Sequence, residues 1–231
     1  MAKENAQEQL KNQLRIKASA DVIRWIDDFT KKKQLTRIPK EKGGYQIKIF
    51  DAPHDMEEAI KNKAANAGHE LSRIIATYDW LYNSKKRSPN TKTKYWEVSI
   101  DKWHKPWNYE LERSLGREER KKNRILAWAE LQQTIDEVGS TFTIQGFDLN
   151  YAGVILGPSV KYRNGKIVFD PAESRNQKAV QSRTLSDGTK KKFGKLLIQH
   201  EVRILMTRGV EGLYIYACDP ELRKALKEAE V

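Results

Sequence analysis

Apolar positions along the chain recur in two periods, and the alternation between them predicts an α/β fold. Val22, Ile23, Trp25, Ile26 and Phe29 follow helical spacing behind Ser19, whose hydroxyl suits an N-cap. Lys31 to Lys33 closes that helix with positive charge, which complements its dipole and needs no ligand to explain it. Gly43-Gly44 breaks the chain before Tyr45 to Phe50, where Y-Q-I-K-I-F alternates as a strand does. Asp51 and Pro53 open a second helix to about Ala67, with Met56, Ile60 and Ala64 on one face and Gly68 as its stop. Leu71 to Tyr78 holds the run Ile74-Ile75-Ala76, which suits a strand covered on both faces. Strand, helix and strand with short connections make a βαβ unit, so these two strands are expected parallel in one sheet.

The same reading continues through the second half. Ile125 to Ile135 follows a helical pattern. Thr141 to Ile144 reads as a short strand, followed by a polar turn with Gln145, Gly146 and Asp148 and an apolar run from Ala152 to Leu156. Polar groups at the carboxyl end of such a strand sit where open α/β sheets bind ligands, although an ordinary turn explains the spacing equally well. Val160-Lys161-Tyr162 and Lys166 to Phe169 flank Asn164-Gly165, a type I′ hairpin signal. Asp170 to Gly194 is polar and is expected to be a mobile loop. Phe193 to Met206 is helix-like, Leu213 to Ala217 is an apolar final strand, and Asp219-Pro220 starts a closing helix to about Ala229. The expected architecture is one domain: a mostly parallel sheet flanked by helices, with a β-hairpin insertion.

Charge adds a class of partner. The 231 residues carry a formal net charge of +12, with a pI near 9.6, and 32% of them are charged. Such an excess points to polyanions, nucleic acid ahead of an anionic membrane. Between Asp79 and Arg124, Lys85-Lys86-Arg87 and the cluster Arg117 to Arg124 interleave with Trp96, Trp103, Trp107 and Tyr109. Single strands are held this way, cations following phosphates and rings stacking on bases. For any one tryptophan, however, cover over the sheet is the better reading. Cys218 is the only cysteine, which excludes an intrachain disulfide. No run approaches the ~20 apolar residues of a membrane helix and no signal-type segment opens the chain, so a cytoplasmic protein without a membrane partner is expected.

No complete catalytic signature is present. Gly188 and Gly194-Lys195 imitate a phosphate loop, but five residues separate the glycines instead of four, and Leu196 stands where Ser or Thr would hold magnesium. The four histidines, His54, His69, His104 and His200, lack metal-site spacing.

Several separated motifs carry a family likeness. Q-L-R at Gln13 to Arg15, Trp107-Asn108, T-I-Q-G-F-D-L-N-Y from Thr143, V-R-I-L-M-T-R-G from Val202 and the tail Tyr214, Tyr216, Asp219, Pro220 occur in order. Together they resemble the Schlafen group 3-like DNA/RNA helicases, which have a superfamily 1-type core. The resemblance implies the second of two RecA-like motor domains. A first, N-terminal RecA-like domain would supply the phosphate loop and bind ATP with Mg, and this chain alone would be inactive. It implies Arg208 as an arginine finger, with Arg15 as a second arginine directed at the phosphates. Gln145 and Gly146 would form the coupling turn, and Asp148 stands where the family has a ribose-binding glutamate, one methylene longer. Arg203 is a further nucleotide-side candidate, equally well read as a helix-surface ion-pair partner. Thr143, with Lys85, Lys86 and Arg87, would face DNA or RNA, expected single-stranded. A stand-alone nucleic-acid- or protein-binding module that keeps the fold without the motor is the alternative.

Overall fold

A computed structural model describes residues 16–230. Its first half contains α1 (Ala20–Asp27), β1 (Gln46–Ile49), α2 (Pro53–Ala64), β2 (Arg73–Ala76), β3 (Glu97–Ile100), β4 (Trp103–Pro106), α3 (Glu110–Ser114) and α4 (Arg117–Asn123). Next come β5 (Val138–Gly139), β6 (Leu149–Leu156), β7 (Val160–Arg163), β8 (Lys166–Phe169), α5 (Gln177–Val180), β9 (Ser182–Thr184), β10 (Lys190–Lys192), α6 (Gly194–Met206), β11 (Gly209–Ala217) and α7 (Pro220–Ala229). Five strands form one all-parallel sheet in the order β1-β11-β6-β2-β5. This is a RecA-like α/β arrangement, with the two longest strands, β6 and β11, at its centre.

Alternation along those strands divides the core into two layers. Ala152, Val154 and Leu156 of β6, with Leu213, Ile215 and Ala217 of β11, pack beneath α1, α6, α7 and the β7–β8 hairpin. Tyr151, Ile155, Tyr214 and Tyr216 face the other way, toward Met56 and Ile60 of α2, Val98 and Ile100 of the β3–β4 hairpin, and Trp107. Each fully buried aliphatic side chain contributes roughly 1.5–3 kcal/mol, so both layers are needed to hold the sheet. Gly153 lets α2 lie close: a Cβ there would meet Ile60 Cγ1 at 2.9 Å.

Most of the periodic segments fold as their patterns predict. Ser19 Oγ accepts from Val22 N–H, and Asp219 caps α7 through Leu222 N–H. The lysine run ends α1 in a π-helical turn, Asp28–Lys32, in which Lys31 pairs with Asp27 and Lys32 with Asp28. Asn164 and Gly165 take the positive φ angles, 51° and 73°, that the hairpin requires.

Three expectations need correction. Ile125 to Ile135 is not one helix but two short 3₁₀ segments, Trp128–Glu130 and Gln132–Asp136, tied down by Trp128 and Thr134. Thr141 to Ile144 is not a strand. The strand ends at Gly139, and Ser140 starts a turn in which Thr143 N–H and Ile144 N–H both bond to Ser140 C=O. In consequence Gln145, Gly146 and Asp148 lie before the amino end of β6, not at the carboxyl end of a preceding strand, so the usual ligand-crevice argument for open sheets does not apply to them. Finally, Asp170 to Gly194 carries α5 and an exposed β9–β10 ribbon. Arg15, with the Q-L-R motif at Gln13 to Arg15, lies outside the described residues.

Candidate functional site

The amino-end rim of the sheet brings two of the motif residues together. Helix α6 ends where Thr207 Oγ1 donates to Arg203 C=O, and Arg208 follows as the last residue before β11. Leu149 N–H bonds to Arg208 C=O at 2.9 Å, so the start of β6 is laced to the start of β11 and Asp148 is carried beside Arg208. Gly209 makes this possible: it sits at a β-bulge where a Cβ would fall 1.9 Å from Gly212 O. The pair itself is loose. Arg208 Nη1 and Asp148 Oδ1 stand 3.3 Å apart, beyond the 2.7–2.9 Å usual for charge-assisted bonds, and Arg208 Nε is buried with no partner among the described residues.

Another arginine shows how a purely structural guanidinium differs. Arg73 is buried and donates to Thr134 Oγ1, Glu70 C=O, Ser72 C=O and Leu131 C=O. All three of its nitrogens are committed, and Arg208 has no such set.

The other sequence candidates separate. Gln145 and Gly146 are exposed, Gly146 at φ 76°, on the turn leading to Asp148. Arg203 Nε bonds Asp27 Oδ1 at 2.8 Å and ties α6 to α1. Burial of Asp27 works against its ionisation, but its bonds with Lys31 and Arg203 prevail and hold the carboxyl below the usual range. Thr143 is buried, and its Oγ1 accepts from Ser140 N–H and donates to Ser140 C=O, so its hydroxyl wires the turn. Asn108 of the Trp-Asn pair accepts from Ser140 Oγ and adopts φ 61°, while Trp107 is buried in the second core layer.

Lys85, Lys86 and Arg87 lie elsewhere, beyond the carboxyl end of β2, and are exposed with no ion pair among the described residues. Sequence reasoning gave no role to the buried acids at this end. Burial pushes Glu201 up to about 8, reinforced by the neighbouring Asp79 charge and opposed by Tyr78 N–H. Asp79 is also raised by burial, although Ser159 N–H and Thr77 Oγ1 both donate to its Oδ2. Gly157 is required above them, since a Cβ would lie 2.4 Å from Asp79 Oδ2. Burial likewise pushes the Cys218 thiol up to about 12. The only sequence signal was Asp79, a lone acid just past a strand end, while Glu201 sits within α6. Among the described residues no three His, Cys, Asp or Glu side chains converge on a possible metal site, and no helix is long and apolar enough to cross a membrane.

An all-parallel sheet with helices on both faces defines a RecA-like α/β domain. The sequence model described as Schlafen group 3, DNA/RNA helicase domain, matches residues 1–219, and the chain belongs to that family. Its matches include the uncharacterized protein YPL245W of Saccharomyces cerevisiae, 35% identical over 231 residues, covering 94% of this chain and 47% of that protein. The chain thus spans about half the length of this relative. No solved structure matches.

Proposed function

We propose that this chain is the second RecA-like motor domain of a nucleic-acid-dependent NTPase, with Arg208 as its arginine finger. The observation that carries the reading is the state of that guanidinium among the described residues: one long contact to Asp148 and a buried Nε without a partner. An arginine forks readily onto phosphate oxygens, so a γ-phosphate brought against this rim would take up the partly exposed Nη donors that Asp148 leaves unmet. Asp148 then acts as a placeholder, holding the side chain at the rim until the cleft closes. Gln145 and Gly146, on the turn that precedes Asp148, would transmit that closure.

ATP with Mg fits this arrangement only in part. The arginine suits the phosphate, while the phosphate loop and the acidic ligands for magnesium would come from a first domain N-terminal to this one. The length of the yeast relative leaves room for such a domain. When bound, the nucleotide would supply the phosphoanhydride bond, and this chain would stabilise the charge that develops as it breaks. By itself the chain is expected to hydrolyse nothing.

The test joins the chain to a phosphate-loop domain, by fusion or in trans, and measures NTP hydrolysis. Hydrolysis should appear and then fall by about 10³–10⁵ in Arg208→Ala, the range arginine fingers supply. Indifference to that substitution refutes the assignment. The exposed Lys85 to Arg87, without ion pairs among the described residues, favour a second reading, a binding module without a motor. Strand binding in a protein that no partner domain renders active would support it.

A further inference from the structure

We infer that a groove beyond the carboxyl ends of β2 and β5 binds an unstacked base of single-stranded nucleic acid, with Phe142 as the stacking platform. The inference rests on the nucleic-acid reading above and gives it a location. The groove has a volume of ≈ 500 Å³ and is lined by Tyr78, Tyr82, Trp96, Phe142, Lys85 and Arg175. Flat rings on the walls and cations at the mouth are the combination that holds a base and its phosphate.

Phe142 is 53% exposed, unusual for a phenylalanine, although Ser140, Thr143 and Ile144 around it are buried. Its neighbours fix it in place. Ile144 is fully buried in the core, Thr143 Oγ1 closes the turn on Ser140, and Ser140 Oγ reaches Asn108 Oδ1 at 2.6 Å. The Tyr78 ring meets Phe142 edge-on at 5.3 Å, leaving much of the Phe142 ring to solvent. A ring held this way has little conformational freedom left to lose when a base stacks on it.

The cations are presented by the same kind of wiring. Trp96 Nε1 and Arg113 Nη2 both donate to Lys86 C=O, and Asn83 Oδ1 accepts from Lys85 N–H. The loop backbone is thereby committed, while the side chains of Lys85, Lys86 and Arg87 carry no ion pair among the described residues. Arg175 is exposed on the opposite segment, its N–H anchored to Tyr78 C=O at 2.9 Å. A second hollow is lined by Arg87, Lys94 and the ion pair of Arg113 with Glu110, so Arg87 and Lys94 would offer phosphates further positive charge. An acidic peptide would satisfy the cations but would leave the exposed ring without a partner of matching shape. This asymmetry favours a nucleic acid.

The test is fluorescence anisotropy of the full chain with labelled 12-nucleotide DNA and RNA strands, and with abasic strands of equal length. The chain should bind base-bearing strands about fivefold or more tightly than abasic ones, the low end of what one stacked base contributes. Phe142→Ala should abolish that preference without changing the salt dependence, and Phe142→Trp should keep it. Lys85→Glu with Lys86→Glu should flatten the salt dependence by about 1.4 in slope, about 0.7 for each phosphate no longer neutralised. An unchanged preference in Phe142→Ala, or equal wild-type binding to abasic strands, overturns the inference while leaving nucleic-acid binding intact. Absence of binding to any strand overturns both this inference and the nucleic-acid reading beneath it. The DNA and RNA arms identify which strand the groove prefers.

Discussion

At the amino-end rim, one guanidinium, Arg208, is delivered by a helix end, a backbone rung to Leu149 and a glycine bulge, and meets one carboxylate. Beyond the carboxyl ends, several cations stand without ion pairs among the described residues around a half-exposed ring, and buried acids lie underneath. The two regions use positive charge differently. The first aims a single charge through a rigid backbone, which suits a reacting phosphate. The second spreads charge over exposed side chains, which suits a backbone of many phosphates and little specificity. Substitutions should therefore act through structure or hydrolysis at the first region and through strand binding at the second.

The largest effect is expected from the backbone of the amino-end rim. Gly209→Ala puts a methyl group 1.9 Å from Gly212 O and should cost about 3 kcal/mol or more, read by urea denaturation. Gly146→Ala is the milder control: nothing lies within 4 Å of its Cβ, so only the strain of φ 76° remains, about 1–2 kcal/mol. Next comes a pH effect from the buried acids. Glu201 stays neutral in the folded protein up to about 8 but ionises in the unfolded chain near 4.5. Between those values the folded state holds an extra proton, so stability should fall as pH rises from 5 to 8 and level off above. Burial raises Glu137 to about 8 as well, so Glu201→Gln should make that decline shallower in thermal melts without removing it, whereas an unchanged slope would remove Glu201 as a source. Asp148→Asn should cost less than about 1 kcal/mol of stability, since the pair is long and partly exposed. Smallest of all, Lys85→Glu and Lys86→Glu should each shift stability by no more than about 0.5 kcal/mol while weakening strand binding.

The periodic parts of this molecule were legible because burial on both faces of a parallel sheet imposes a pattern on the chain. Ile74-Ile75-Ala76 and Ala152 to Leu156 could hardly be anything but covered strands. The turn between β5 and β6 was misread because Thr141 to Ile144 has strand-like residues whose placement is decided by tertiary bonds. Ser140 and Thr143 close on each other, and Asn108, more than thirty residues earlier in the chain, completes the lock. Ile125 to Ile135 failed for a similar reason: Trp128 Nε1 is drawn to Asn108 C=O and Glu137, which a continuous helix would not allow. The bland expectation for the tryptophans held best at Trp107, which is buried in the core. Arg208 was reached through its motif, but its looseness was not legible, because an unsatisfied Nε depends on what the fold leaves out around it. Phe142 carried no signal at all: its exposure is a property of the turn and not of its sequence neighbours.

The most direct test is strand-stimulated NTP hydrolysis and strand affinity, measured side by side with this domain joined to a phosphate-loop domain. Arg208→Ala should lower the rate about 10³-fold or more and leave strand affinity within about twofold, since it leaves every cation at the far end of the sheet in place. A variant that hydrolyses at the unsubstituted rate, or that loses strand affinity in step with rate, would contradict the separation of the two regions.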